Sequence, residues 1–144
     1  MLWQRIQPKT EVVMKVAKQL ALFVENKPGT LAAICQALAN KQINIEAISV
    51  SDAVDHAVVR MVVNNPQKAL HLLGEHGILV IEREVLVLSC TSQPGTLARV
   101  AKTLAKQKIN IDYAYSSTAP GSATGALIIR VDNIAKAKRV LKDY

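Results

Sequence analysis

The stretch NKPGTLA at residues 26–32 decides the fold of this chain, because most of it returns as SQPGTLA at residues 92–98. A second motif repeats at the same spacing: INI at residues 43–45 returns as INI at residues 109–111. One short match arises easily by chance. Two motifs in the same order and at the same distance indicate that one structural unit has been duplicated.

Further matches lie downstream, at a slightly larger spacing. The offset grows from 66 to 68 residues, so the second copy holds two extra residues, which we place in the loop at residues 119–125. The duplication therefore continues to the end of each copy. The matched pairs are Asn65 with Asn133, Lys68 with Lys136, Ala69 with Ala137 and Leu73 with Leu141.

Each copy contains the same succession of predicted elements. Apolar, β-prone runs predict strands, and apolar residues three and four apart after each Pro-Gly turn predict helices. Thr30 and Thr96 are predicted N-caps or first-turn residues of those helices. The order βαββαβ predicts an α+β fold of the ferredoxin-like kind, with an antiparallel four-stranded sheet and two helices on one face. Predicted strands cover residues 17–25, 43–51, 57–63 and 78–82 and then 84–91, 109–117 and 126–131; the second helices cover 66–75 and 134–142.

The predicted domain organisation is a tandem pair. Residues 1–13 form an N-terminal extension without a match, residues 14–83 the first repeat and residues 84–144 the second. The second repeat lacks its last strand, since none follows its second helix. Either the chain is shorter than its relatives or residues 11–16 supply that strand, because an unfilled sheet edge promotes aggregation.

The predicted sheet is apolar on both faces. Leu20, Leu22 and Val24 alternate along the first strand and can face the helices, yet Ala21 and Phe23 on the other side are apolar as well. A sheet with two apolar faces requires a second cover. We therefore expect pairing through sheets, either between the repeats or between two chains.

These residues resemble the ACT domain family. A strand, a Pro-Gly turn, a helix and an Ile-Asn-Ile motif opening the next strand carry the resemblance twice, over residues 15–144. A tandem pair without an attached enzyme is similar to the small amino-acid-binding ACT proteins of bacteria. The resemblance implies a non-catalytic regulatory protein that binds a free amino acid, often between ACT units, and forms a homodimer. Its ligand positions correspond to Asn26, Lys27, Pro28, Gly29, Thr30, Leu31, Asn44 and Ile45, and to Ser92, Gln93, Pro94, Gly95, Thr96, Leu97, Asn110 and Ile111.

The chemistry of an amino acid fits these positions. Free N–H groups and the dipole at a helix N-terminus favour a carboxylate. Gly29 and Gly95 permit a positive φ and let a ligand approach the backbone closely. The side-chain oxygens of Asn44 and Asn110 are candidate acceptors for an ammonium group.

The two predicted loops differ in charge. Ser92 and Gln93 stand where the first copy has Asn26 and Lys27, so the second loop lacks a positive charge. This difference bears on whether the two loops bind equally.

The cysteines and histidines do not indicate a catalytic or metal-binding site. Cys35 and Cys90 are interpreted as buried free thiols, and His56, His71 and His76 are not at metal-ligand spacing. We expect no catalytic residue, metal or cofactor.

The net charge of +7 is attributed to a lysine-rich helix surface. No apolar run approaches the ~20 residues of a membrane helix, and the N-terminus has no secretory pattern, so the predicted location is the cytoplasm.

Two alternative functions remain open from the sequence. Ferredoxin-like sheets can bind RNA through exposed aromatics, but the strands offer only Phe23, Tyr113 and Tyr115, and nucleic acid is ranked well below an amino acid. The other alternative is a regulatory subunit that docks on an amino-acid biosynthetic enzyme, such as a synthase. It is compatible with amino-acid binding and differs only in the partner.

Overall fold

The computed structural model describes residues 13–142 and divides the chain into two compact units. We call residues 17–84 the first unit, and residues 13–16 together with 85–142 the second unit. The elements are β1 (Val13–Glu25), α1 (Thr30–Asn40), β2 (Ile45–Asp52), β3 (His56–Val63), α2 (Pro66–Glu75), β4 (Leu79–Thr91), α3 (Thr96–Lys106), β5 (Ile111–Ser117), β6 (Thr124–Val131) and α4 (Ile134–Leu141).

The first unit is an antiparallel sheet with its strands in the order β2-β3-β1-β4 and with helices on one side. Leu22 lies opposite Val59, and Leu20 lies opposite Met61, so alternate positions of two central strands share one face. The helices cover this face. The fully buried members of the core include Leu20, Leu22, Leu38, Met61 and Leu73.

The second unit repeats this arrangement, with β1-β4-β6-β5 as its strand order. Leu88 lies opposite Leu127, and both belong to a core shared with α3 and α4. Met14, in the part of β1 that belongs to this unit, packs against the same core. Residues 13–16 thus group with the second unit, and that the segment at residues 11–16 supplies the last strand of the second repeat stays a prediction. Residues 11 and 12 of that segment, and the predicted extension up to residue 12, lie outside the described residues.

The predicted elements are present, most of them with limits within two residues of the prediction, and there are two larger differences. Helix α2 has the predicted limits, whereas β1 begins at Val13 instead of residue 17. The predicted strands 78–82 and 84–91 are a single strand, β4. The physical reason is that no glycine or proline follows Gly77 until Pro94, so nothing in this stretch interrupts extended backbone. Gly77, at a φ of 72°, makes the turn before the strand.

The second helix of each unit is held by a repeated set of contacts. The side-chain oxygen of Asn65 accepts from the backbone N–H of Lys68, and the ammonium of Lys68 donates to the carbonyl of Lys41 at 2.8 Å. In the second unit Asn133 and Lys136 make the same contacts. The repeated Asn and Lys are therefore a helix cap and a tie to the end of the preceding helix.

One expectation about the cysteines was wrong. Cys90 is buried, but Cys35 is only half-buried, because it stands at the edge of the apolar face of α1 beside Ile34.

Among residues 13–142, no helix combines the length and the apolar character that crossing a membrane requires.

Candidate functional site

The loop between β1 and α1 has a backbone shape set by Gly29. Its φ of 89° is left-handed, and it occupies the N-cap position of α1. Thr30 is therefore the first residue of the helix and not its N-cap. No side chain caps this helix. The carbonyl of Gly29 accepts from the N–H of Ala33 at 3.0 Å. The first turn of α1 therefore directs backbone N–H groups outward without a side-chain acceptor over them.

The loop between β4 and α3 has the same backbone. Gly95 has a φ of 90° and occupies the N-cap position of α3. Thr96 begins the helix, and its hydroxyl donates to the carbonyl of Thr91 at 3.0 Å. Thr96 is buried, at 7% exposure, so its hydroxyl ties the helix to the end of the strand.

A cavity of about 740 Å³ opens beside the first loop. It lies where the beginning of α1, the end of α2 and the turn at Gly77 meet the end of β1. We call it the first cavity. Its lining residues are Phe23, Val24, Glu25, Lys27, Pro28, Gly29, Thr30, Ala33, Ile34, Ala37, Leu73, His76, Gly77 and Ile78.

Two opposite charges stand at the rim of the first cavity. The ammonium of Lys27 contacts the carboxylate of Glu25 at 2.8 Å, and both side chains are exposed. The hydrogen bond from Lys27, and then its charge, lowers the pKa of Glu25. The hydrogen bond to Glu25 in turn raises the pKa of Lys27. The rim therefore presents both a donor and an acceptor of fixed charge at neutral pH.

The second loop borders a smaller cavity, of about 270 Å³, which we call the second cavity. Its lining includes Ser92, Gln93, Thr96 and Leu97 of the loop region, and none of the lining residues is Lys, Arg, Asp or Glu. It opens towards β5 and β6 instead of towards the second helix of its unit. The remaining lining residues are Cys90, Thr91, Ala114, Tyr115, Ser116, Thr118, Gly125, Ala126 and Leu127.

Burial affects the one thiol in the second cavity. It raises the pKa of Cys90, while the charge of Arg99 acts in the opposite direction. The thiol is therefore held in its neutral form at physiological pH, which agrees with an inert buried cysteine.

The predicted residues Asn44, Ile45, Asn110 and Ile111 lie away from the loop of their own unit. In each unit they follow the C-terminal end of the helix whose N-terminus adjoins the loop. An 11-residue helix is about 16 Å long. None of the four lines either cavity. Their role in a ligand site stays a prediction.

The structure gives the two asparagines a structural role. The N–H of Asn44 donates to the side-chain oxygen of Asn64 at 3.0 Å, and its carbonyl accepts from the N–H of Asn64. Asn110 makes the same pair of contacts with Asp132. These bonds use the backbone of the asparagine and hold the start of the second strand to the residue before the helix cap, so they do not themselves require an asparagine at this position.

Of the twelve other predicted residues, eight line one of the two cavities and four do not. Asn26, Leu31, Pro94 and Gly95 line neither of them. The backbone N–H of Asn26 donates to the carbonyl of Asp55, and Leu31 points outward with 40% of its surface exposed. The lining residues that are also predicted ligand positions are Lys27, Pro28, Gly29 and Thr30 in the first cavity and Ser92, Gln93, Thr96 and Leu97 in the second.

The lining residues that sequence reasoning missed include two groups in the first cavity. Glu25 precedes the loop directly, and its acidic side chain two residues before Lys27 was a usable signal. Leu73, His76 and Ile78 come from a segment almost 50 residues further along, and only the packing of α2 against α1 brings them to the loop.

The fold and these two loops define a tandem ferredoxin-like α+β protein. Residues 14–143 match the family model described as an ACT domain pair. The chain therefore belongs to the ACT domain pair family. A comparison with curated proteins gives no match.

Solved structures extend this result. Protein BT0572 from Bacteroides thetaiotaomicron is 34% identical, with 90% of this chain and 89% of that chain covered and a TM-score of 0.84. The regulatory subunit of aspartate kinase from Thermus thermophilus, in its ligand-free form, is 22% identical over 92% of this chain and 95% of that chain, with a TM-score of 0.71. The corresponding subunit from Thermus flavus is 23% identical over the same shares, with a TM-score of 0.64. The two Thermus likenesses concern the fold.

Proposed function

We propose that this chain is a non-catalytic, cytoplasmic regulatory protein that binds a free amino acid at the first cavity. The observation that carries the proposal is the place of this cavity, which adjoins both the N-terminus of α1 and the Glu25–Lys27 pair. A volume of about 740 Å³ lies within the range of small-molecule sites. Membership of the ACT domain pair family supports the same function.

The charges at the rim suit a zwitterion. The ligand's carboxylate is favoured by the N-terminus of α1 and by the Lys27 ammonium. Its ammonium is favoured by the carboxylate of Glu25. Because these two side chains already neutralise one another, a neutral zwitterion is accommodated without leaving a charge unpaired.

The proposed regulation acts on a partner enzyme of amino-acid biosynthesis. The Thermus neighbours are regulatory subunits of aspartate kinase, and they share this fold over 92% of the chain. Exposed apolar strand residues such as Phe23 and Ile48 support assembly into a homodimer. If this is the role, a biosynthetic enzyme co-purifies with the chain, and its activity changes when the amino acid is added.

A thermal-shift screen of the purified chain against the twenty amino acids tests the binding. A ligand at about 100 times its Kd adds roughly 2.7 kcal/mol of stability, which raises the Tm by several degrees. We expect such a rise with one amino acid or a related group. If none of the twenty raises the Tm, the proposed binding is wrong.

Gly29→Ala and Gly95→Ala form a matched pair of variants for locating the site. Both positions have nearly the same positive φ, and no atom lies within 4 Å of an added Cβ, so the backbone strain of about 1–2 kcal/mol is the same in both. We expect the ligand-induced rise to disappear in the Gly29 variant and to persist in the Gly95 variant. Equal rises in both would place the binding site elsewhere.

A further inference from the structure

The floor of the first cavity consists of side chains from the hydrophobic core. Ile34 and Leu73 are buried members of that core, at 5% and 0% exposure. Val24, Ala37 and Ile78 are half-buried and pack against it. The cavity is therefore an indentation in the core that opens to the surface at the end of the unit.

The charged and titratable lining groups stand at the rim. Glu25 and Lys27 lie in or next to the loop, and His76 lies at the end of α2; all three are exposed. No charged side chain is among the residues on the floor. A ligand whose charged groups occupy the rim therefore directs the rest of its atoms onto an apolar surface.

We infer that the first cavity selects amino acids with an apolar aliphatic side chain. This inference rests on the proposed function, because it takes the zwitterionic head of the ligand to lie at the rim. A polar or charged side chain would lose its contact with water at the floor and find no partner there. An aliphatic side chain of the same size gains by leaving water.

Pairs of amino acids with nearly equal shape test the selectivity. Leucine and asparagine branch at the same carbon, and valine and threonine differ by one methyl against one hydroxyl. We expect calorimetric titration to give Kd values at least about tenfold lower for leucine and valine than for their polar partners. Equal or tighter binding of asparagine and threonine would overturn the inference and leave the proposed function standing. Failure of every amino acid to bind would overturn both.

Ala37→Leu tests whether the floor is where the side chain lies. Alanine and leucine are both good helix formers, and the added carbons project from a residue that lines the cavity. The matched control is Ala39→Leu on the same helix, since Ala39 is exposed and does not line the cavity.

We expect the Ala37 variant to weaken leucine binding by about tenfold or more and the Ala39 variant to leave it unchanged. Circular dichroism establishes that both variants are folded. If leucine binds equally to both folded variants, the side chain does not occupy the floor and the inference is wrong. The selectivity of the unmodified chain is measured independently of either variant.

Discussion

The two Pro-Gly loops have the same backbone and different surroundings. Gly29 and Gly95 differ by 1° in φ, and each sits at the N-cap of an 11-residue helix. The first loop has an ion pair at its entrance, formed by Glu25 and Lys27. Thr91 and Gln93 hold these positions in the second loop. The two loops therefore share one backbone conformation, and the charges that would hold a zwitterion lie beside the first of them.

The cavities beside the loops differ for a second reason. The wall that contains His76 and Ile78 comes from the segment after α2, where the first unit turns into its fourth strand. The second cavity is lined instead by residues of β5, β6 and the stretch between them. The walls of the two cavities therefore come from different elements, although the loop motif is the same.

The largest expected effect concerns the hydrophobic cores, in which the two units have equivalent residues. Leu22 and Leu88 are equivalent in the repeat, and each is fully buried in the core of its unit. We expect Leu22→Ala and Leu88→Ala to lower the free energy of unfolding by about 2–5 kcal/mol each, because each leaves a cavity among core side chains. Urea unfolding measures this loss. A loss below about 1 kcal/mol in one variant alone would show that the two cores are not equivalent.

A smaller effect is expected at the repeated helix caps. Asn65→Ala and Asn133→Ala each remove an acceptor that lies 3.0–3.1 Å from a backbone N–H of the second helix. We expect each variant to lose about 1 kcal/mol of unfolding free energy, measured in the same urea experiment. Asn40→Ala is a suitable control, because Asn40 is exposed at the end of α1 and caps no helix. A loss in the control as large as in the cap variants would refute the capping role.

The smallest expected effect concerns the charge of Lys27, which has no counterpart in the second loop. Lys27→Gln installs the residue of the second loop and removes the ammonium whose hydrogen bond and charge lower the pKa of Glu25. Because the pKa is lowered in the folded chain, the pair contributes above the ordinary pKa of glutamate and is lost as the pH falls through the lowered value. Titration followed by NMR should therefore find the Glu25 pKa higher in the variant. An unchanged pKa would mean that Lys27 does not hold the carboxylate in solution.

The repeat and its elements were predictable because they rest on local signals. The Pro-Gly turns, the apolar spacing on α1 and α3, and Pro66 at the start of α2 each act within a few residues. The asparagines at positions 44 and 110 were correctly recognised as repeated. Their distance from the loops did not follow from the repeat, because it depends on the helix of about 16 Å that separates them from the loop of their own unit.

The sequence by itself determined the duplication, the βαββαβ order, the family and the left-handed glycines, since each depends on short-range spacing and backbone sterics. Only the tertiary structure decided which surfaces adjoin the loops. Leu73 and His76 reach the first loop because α2 packs antiparallel to α1, and the second cavity opens towards β5 and β6 instead. These contacts join residues far apart in the chain, and no local pattern records which distant side chains will meet.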